Sequence, residues 1–233
     1  GFNINNDYGT RLKTNLVYFY TNTNTKRENK HLSEQMLTDT ILSSSSQNTS
    51  DRNEYKHTLG GLIEWKPDTL NRFRYEPKLN FQSNNILSGT QIINFNNFIP
   101  KLYESIGDNI QQTKNTSFSH NFSFYRKLKK KGESMNINHN LALNENASDA
   151  FSNNNLTSYT DDIPSSLLSR FADQHTNNHS GNLSVNYNYP VSKKIRAEIT
   201  IDSRFSSNNE FLKTFDRNPT TDVYDIFLAN QSS

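Results

Sequence analysis

The sequence predicts an all-β fold of long antiparallel strands in up-and-down order, and three observations lead to this prediction. Hydrophobic and polar residues alternate over segments of about twelve residues, as in a strand whose two faces differ. Only 32% of the 233 residues are hydrophobic and the mean hydropathy is -0.88, yet the chain contains 15 Phe and 11 Tyr. Tight turns recur about every 60 residues. Strands with one apolar and one wetted face reconcile the low hydropathy with the aromatic content.

The longest alternating unit runs from Glu54 to Asn84 and predicts a β-hairpin whose turn is supplied by Pro67 and Asp68. Its arms are about twice the usual strand length of about five to six residues. A strand that crosses a bilayer at a tilt needs about 9–11 residues and alternates between an apolar and a polar side. The hairpin therefore predicts part of the wall of a transmembrane β-barrel.

The first 53 residues predict a strand end, a turn, a strand and a long connection. GFNIN ends a strand, NDYG forms the turn, and residues 10–21 form a strand. The polar stretch from Asn22 to Asn53 is expected to be loop, apart from an extension around His31 to Thr38. After the central hairpin, residues 85–112 form a second long connection, with an extension in SGTQIINFNNFIP and one helical turn in LYESIGD.

Two further hairpins follow the same design. NTSFSHNFSFYR and ESMNINHNLALNEN are joined by the basic turn KLKKKG, and GNLSVNYNY is joined to KIRAEITIDSRFSS around Pro190 to Lys193. Between them, residues 147–178 form a third connection, with a short helix from Pro164 capped by Asp162 or Ile163. Beyond about Asn208 the chain is expected to be loop, ending at ANQSS without a closing strand.

This order places all short turns at one end of the strands and all long loops at the other, as in bacterial outer-membrane barrels. Aromatic residues gather beside the short turns, where a membrane-interface girdle is expected: Trp65, Phe73, Tyr75, Phe124, Tyr125, Tyr187 and Tyr189. His57 and His139 fall on apolar faces, where an interface position is expected.

Three segments resemble one known family: LIEWKPDTLNRFRYEPKLNFQSN, FSFYRKLKKKGESMNINHNLALNENASDAF and NLSVNYNYPVSKKIRAEITIDSRF. In order and spacing they are similar to the hairpins of the outer-membrane β-barrel family of Bacteroidetes-type bacteria, relatives of the TonB-dependent receptors. The resemblance implies that residues 1–233 are an internal fragment of one barrel domain, with about eight membrane strands and no plug domain.

The resemblance further implies a receptor or transporter in the bacterial outer membrane that takes up an unknown external ligand. Its expected partners are outer-membrane lipid, the remainder of the barrel, an N-terminal plug and a TonB-type energiser reached through the missing part. The rival interpretation is a soluble, secreted β-sandwich module for binding or adhesion, in which each apolar face packs on a second sheet.

Charges of mixed sign on the predicted lumen face are the candidate functional residues: Arg72, Arg74, Glu76, Lys78, Arg196, Glu198, Asp202 and Arg204. They are expected either to contact a plug or a passing solute, or to pair across strands and stabilise the wall. Both alternatives are open at this point.

Other motifs have simpler interpretations. His175 and His179 are four residues apart, but their polar context favours a solvated loop over a metal site. Asp161 with Asp162, and DRNPTTD from Asp216 to Asp222, do not match EF-hand spacing and predict ordinary acidic loops. KLKKKG is expected to be a charged turn rather than a site for phosphate or lipid headgroups.

The remaining sequence features predict no enzyme, catalytic residues, metal or cofactor. The net charge of +2 argues against a nucleic-acid partner, and the absence of Cys excludes disulfides.

Overall fold

The protein is a single antiparallel sheet of nine strands, each hydrogen-bonded to the next along the chain. The computed structural model describes residues 1–161, 163–192 and 194–229. The strands are β1 Phe2–Tyr8, β2 Leu12–Met36, β3 Ile41–Trp65, β4 Asn71–Asn96, β5 Tyr103–Lys127, β6 Ser134–Ser158, β7 Ser166–Pro190, β8 Arg196–Arg217 and β9 Tyr224–Phe227. This arrangement confirms the predicted all-β, up-and-down antiparallel fold, and the nine-stranded sheet is not closed into a barrel.

The register aligns the apolar sides of all the predicted hairpins on one face of the sheet. One row of directly paired residues crosses seven strands and defines a reference row: Leu12, Trp65, Phe73, Phe124, Ile137, Val185 and Ile201. Side chains two residues apart on a strand share a face. The face that carries this row is therefore called the apolar face, and the opposite one the polar face.

No hydrophobic residue in the described part of the chain is buried. The few buried side chains are polar, and large hydrophobic side chains lie open on the apolar face, such as Ile201 at 64% exposure. The cause is the single layer, because no second sheet or helix among the described residues covers the apolar face.

The prediction of long loops was wrong, because those polar stretches are strands. Six of the seven long strands have 25 or 26 residues and the seventh, β8, has 22. Turns at the near end occupy residues 9–11, 66–70, 128–133 and 191–195. Turns at the far end occupy residues 37–40, 97–102, 159–165 and 218–223, with Asp162 and Lys193 outside the described residues. The assignment of each connection to the near or the far end was predicted correctly, but the connections are short at both ends.

Cross-strand hydrogen bonds between polar side chains accompany the extended conformation of these stretches. Thr90 donates to Asn48 over 3.0 Å, and Ser105 donates to Asn154 over 2.7 Å. Pairing of the backbone on both sides satisfies the peptide groups that a loop would leave to water. Tertiary pairing therefore overrides the turn preference of Asn and Ser.

Both predicted helical segments are strand instead. LYESIGD lies in β5, which begins at Tyr103, and the segment after Pro164 enters β7 at Ser166, opposite Leu156 of β6. Of the two proposed capping residues, Asp162 lies outside the described residues. After Asn208 the chain continues in β8 and adds β9, so the loop expected there is also wrong, while residues 230–233 lie outside the described part.

A proline in the middle of the sheet is accommodated by glycine on the neighbouring strand. Pro77 of β4 has no N–H to donate, and the β3–β4 ladder passes from Gly60 paired with Lys78 directly to Ile63 paired with Tyr75. A Cβ added to Gly61 would lie 3.6 Å from Cγ of Pro77. Gly61 thus leaves room for the pyrrolidine ring on the apolar face.

Candidate functional site on the polar face

Glu64 is the centre of the charged cluster on the polar face. Its carboxylate lies 2.9 Å from Nζ of Lys66, 2.9 Å from a guanidinium nitrogen of Arg72 and 3.7 Å from Arg74. Glu64 is only 8% exposed, whereas the three cations are about half exposed. The register creates this Glu64 cluster by placing Arg74 directly opposite Glu64. A carboxylate with several cationic donors is stabilised in its charged form.

Arg72, Arg74 and Glu76 are connected with one another through the Glu64 cluster. Arg74 bonds through Nε to the Glu76 carboxylate, and Arg72 donates to Glu64 over 2.9 Å. These three predicted residues therefore pair on and across strands, as one of the two alternatives expected. Glu64 was missing from the predicted candidates, although its even position on the central hairpin puts it on the same face.

A shallow groove of about 680 Å³ adjoins the Glu64 cluster on the polar face. It brings Glu198 of β8 near Arg72 and Arg74, and amide and hydroxyl groups fill the space between them. The remaining lining residues are Ser123, Tyr125, Ser134, Asn136, Asn186 and Asn188.

The other predicted charges lie on the polar face but apart from this cluster. Lys78 pairs in register with Ser119. Asp202 lies opposite Ser184 and Arg204 opposite Asn182, both on β8 near the edge of the sheet. Arg196 lies at the start of β8, opposite Pro190. No ion pair joins these residues in the described part of the chain.

The polar face of β5, β6 and β7 is almost free of charge. Its positions within 105–125, 134–158 and 166–188 carry Asn, Ser, Thr, Gln, Gly, Ala, Leu and Tyr, with Arg170 as the exception. Arg170 is neutralised by Asp216, whose Oδ1 lies 2.8 Å from its Nε. Hydrogen-bonding side chains without net charge therefore dominate this part of the face.

A trench crosses this uncharged zone where a row of small residues pairs across four strands: Ser119, Ala142, Ser180 and Ser206. Carboxamides border it on both sides, with Asn121, Asn140 and Asn182 on one and Asn144, Asn178 and Asn208 on the other. The trench has a volume of about 570 Å³, and Arg204 of β8 also lines it. The Oδ1 atom of Asn182 is buried there and accepts no hydrogen bond from the described residues.

Six of the seven predicted interface aromatics lie on the apolar face near the short turns. Trp65 stacks on Phe73 at 5.2 Å between ring centroids, and Phe73 stacks on Phe124 at 4.6 Å. Tyr187 and Tyr189 stack at 6.4 Å, and Tyr75 contacts His120. Grouping Tyr125 with them was wrong for its face, because it pairs with Arg72 and Asn136 on the polar side. Phe124 and Tyr125 are consecutive, so they point to opposite faces.

Five of the six histidines lie on the apolar face, and His31 lies on the polar face. His57 accepts or donates a 2.8 Å hydrogen bond with the Tyr18 hydroxyl, and the rings of His139 and His120 lie 5.0 Å apart. His175 and His179 are in β7 rather than in a loop, and His175 contacts Asp173 over 3.0 Å. Four residues along a strand span about 13 Å, too far for one metal ion.

Two of the acidic candidates, Asp216 and Asp222, are each paired with an arginine. Asp216 is bound by Arg170, and Asp222 is bound by Arg217 in the last far-end turn. Asp161 lies in the turn at residues 159–165, and its neighbour Asp162 is outside the described residues. Across residues 1–161, 163–192 and 194–229, no cluster of three or more His, Asp or Glu is arranged to hold a metal ion.

No protein-family model matches the chain, and no curated protein matches its sequence. Within the described residues, no helix has the length and hydrophobicity needed to span a membrane.

Proposed function

We propose that this chain forms part of the wall of an outer-membrane β-barrel, with its apolar face in lipid and its polar face toward the lumen. The observation that carries the proposal is a continuous apolar band across β2–β8. On the apolar face, no Asp, Glu, Lys or Arg occurs within residues 12–20, 57–65, 73–81, 116–124, 135–143, 179–189 and 195–207. A charge-free band open to its surroundings is expected for a lipid contact.

The height of the band supports the proposal. In β6 it runs from Met135 to Leu143, and in β2 from Leu12 to Tyr20. Eight steps along a strand span about 27 Å, which becomes about 23 Å at a moderate tilt. The apolar band of known membrane barrels is about 25 Å tall.

The band also slopes across the sheet. Its near-end margin is the reference row itself in β2, at Leu12, but in β8 it reaches Ile195, six residues beyond Ile201 of the reference row. Its far-end margin lies at Tyr20 in β2, eight residues from the reference row, and at Phe205 in β8, four residues from that row. The margin therefore shifts by four residues across the sheet. With about 3.3 Å per residue and about 4.8 Å between strands, the slope is about 25–35°. Barrel strands that cross a bilayer are tilted by about 35–45°.

The edges of the sheet indicate that further strands complete the structure. Residues 19–36 of β2 pair only with β3, and residues 196–213 of β8 pair only with β7, among the described residues. Unpaired backbone groups within a bilayer are strongly unfavourable, so a wall in lipid needs neighbouring strands at both edges.

The proposed activity is uptake of an external ligand by a receptor or transporter like the TonB-dependent proteins. The family resemblance of the three hairpins supports this activity, together with a polar face that is wetted and grooved. The trench is lined mainly by carboxamides and hydroxyls, with Arg204 at its β8 end, so it suits a solute that offers several hydrogen-bonding groups. The charged cluster at Glu64 instead stabilises the wall.

Protease treatment of intact cells that produce the protein tests the proposal. A protease site inserted after Asp39, in a far-end turn, should be cut from outside, whereas the same site inserted after Asp68, in a near-end turn, should be cut only after the outer membrane is opened. Both insertions lie in exposed turns of similar length, so each is the control for the other.

Recovery of the protein in the soluble secreted fraction would reject the barrel. That result would leave the secreted β-sandwich module, with its second sheet supplied from outside the described residues, as the better account.

A further inference from the structure

Two near-end turns lie side by side and form a groove of about 740 Å³. The turn between β5 and β6 contributes Lys130, Lys131 and Gly132, and the other side is formed by Pro190, Ser192 and Arg196. Gly132 has a φ of 89°, a conformation that glycine adopts without strain. The glycine thereby lets the lysine-bearing turn approach Pro190, whose ring lies 3.9 Å from the position of an added Cβ.

The groove is strongly basic and its cations are not neutralised. Lys129, Lys130, Lys131, Lys194 and Arg196 are exposed, and none forms an ion pair with a carboxylate among the described residues. The far-end turns differ, because they carry Asp39, Asp161 and Asp222, and their lysine, Lys101, is bound to Glu104 over 2.6 Å.

Two acidic residues, Glu133 and Glu198, lie close to the groove, but neither forms an ion pair with its cations among the described residues. Glu133 accepts a 2.5 Å hydrogen bond from the Tyr187 hydroxyl and a 3.1 Å bond from the Lys130 backbone N–H. These contacts, with the Tyr187 hydroxyl as the larger cause, hold the pKa of the Glu133 carboxyl below its ordinary value. Glu198 lies two residues after Arg196 and lines the groove beside the Glu64 cluster instead.

Apolar and aromatic side chains border the basic groove on the membrane side. Lys130 Nζ lies 4.2 Å from the centroid of the Tyr189 ring, a cation–π contact. Val191 and Ile195 are exposed beside the groove, and Ile195 is the point where the apolar band extends furthest toward the near end. Cations directly next to interfacial tyrosines and aliphatic side chains lie where lipid headgroups meet acyl chains.

We propose that this groove binds the phosphate of an anionic phospholipid, whose acyl chains lie along Ile195 and Ile199 of β8. The inference rests on the proposed function, because it requires the apolar face to be in lipid. A free phosphate would use the same cations but would gain nothing from the aliphatic border. The neighbouring apolar surface therefore favours a lipid as the source of the phosphate.

The test measures which lipids remain bound when the protein is extracted from its membrane with a mild detergent. Mass spectrometry of the extract compares phosphatidylglycerol with zwitterionic phosphatidylethanolamine, relative to the bulk membrane. The natural protein should retain phosphatidylglycerol with an enrichment on the order of tenfold, because several cations near one headgroup attract an anionic lipid. The triple variant Lys130→Gln, Lys131→Gln and Arg196→Gln should fall to the bulk ratio.

A matched variant removes three other positive charges: Lys26→Gln, Lys30→Gln and Lys114→Gln, all on the apolar face beyond the band toward the far end. It should keep the enrichment. Equal enrichment in the triple variant, no enrichment in the natural protein, or full displacement of the lipid by inorganic phosphate would overturn the inference.

Membrane fractionation separates the two possible failures. Absence of the natural protein from the membrane fraction would overturn the proposed function, whereas its presence there without phosphatidylglycerol enrichment would overturn this inference alone. Heat-dependent gel mobility and circular dichroism establish that the triple variant is folded before its lipids are compared.

Discussion

Replacing Leu141 with arginine tests whether the apolar face is in contact with lipid. Leu141 lies on β6 in the apolar band, between His120 of β5 and Gly181 of β7. The Phe205 ring occupies the space above Gly181, so the arginine is expected to extend away from the sheet into the surroundings of the apolar face. The nearest carboxylate on the same face of β6 is that of Glu145, about 13 Å along the strand, beyond the reach of the new guanidinium. The cost should therefore come mainly from placing a charge in lipid.

The expected loss of stability depends on how deep the substituted residue lies in the bilayer. Arginine on the lipid face of a barrel costs about 2–4 kcal/mol at the bilayer midplane and about 0–1 kcal/mol near the interface. Leu141 lies two residues inside the far-end margin at Leu143, so Leu141→Arg should destabilise the protein by about 2 kcal/mol. Leu16 lies four residues from both margins of the band in β2, and Leu16→Arg should cost about 3–4 kcal/mol.

The assay is urea unfolding of the protein in phospholipid vesicles, followed by the fluorescence of Trp65, the single Trp of the sequence. Asn140→Arg is the matched control, because Asn140 is the next residue on the same strand at nearly the same depth, but on the exposed polar face. Its cost should stay below about 1 kcal/mol. Equal destabilisation by Leu141→Arg and Asn140→Arg would refute the assignment of the two faces.

Three further predictions concern local contacts. Gly181→Ala should destabilise the sheet by about 1–3 kcal/mol in urea unfolding, because the added Cβ overlaps the Phe205 ring. Gly61→Ala is the control and should cost less than about 1 kcal/mol, because its Cβ would lie 3.4 Å from the nearest atom. Glu64→Gln should cost about 1–2 kcal/mol by the same assay, since half-exposed cations lose a charged partner; an unchanged midpoint would contradict this. The side-chain amide of Asn71 and then the Leu70 N–H lower the pKa of the Asp68 carboxyl below its ordinary value. Its stabilisation of the turn is therefore present above about pH 4 and lost as the pH falls through the lowered pKa. The measurement is the protection of the Leu70 amide from hydrogen exchange, relative to the intrinsic rate at each pH. Loss of this protection at acid pH in the natural protein, but not in Asp68→Asn, would confirm the prediction.

The near-end half of the fold was predictable because apolar and polar positions alternate there. Period-two spacing alone placed Trp65 and Phe73 on the apolar face of the central hairpin and Phe124 on the apolar face of the next one, and the register pairs them directly. The tight turn at Asp68 was also predicted, and its carboxylate accepts 2.7 Å hydrogen bonds from the N–H groups of Leu70 and Asn71.

The far-end half was not predictable from alternation, because both of its faces are polar. Residues 43–50 read SSSSQNTS, a stretch without hydrophobic period whose Asn and Ser also favour turns. The structure pairs these residues with both β2 and β4. Isolated apolar residues such as Leu87 and Ile110 were the remaining signal, and they pair directly in adjacent strands.

At the charged site, the faces of the predicted residues were correct but their partners were not predictable. Arg72 and Arg74 were recognised from their even positions, yet Glu64 becomes their shared partner only through the β3–β4 register. Tyr125 was grouped with the interface aromatics because it lies near a turn, although its odd position in β5 puts it on the face opposite to Phe124. Cross-strand register depends on every turn, and no single segment of sequence specifies it.

Under the proposed function, the lengths of the strands and of the band indicate where a ligand would bind. A strand of 25 residues extends for about 80 Å, and the band occupies only about 27 Å of it. The remaining part projects from the band on the far-end side, since the near-end turns follow the band closely. On the apolar face of this projection, charges return at Lys26, Asp51 and Lys213, as expected for a surface in water. If the near-end turns face the periplasm, the sheet itself, rather than long loops, carries the outer binding surface, and substitutions on the polar face of residues 147–157 should alter ligand binding without altering membrane assembly.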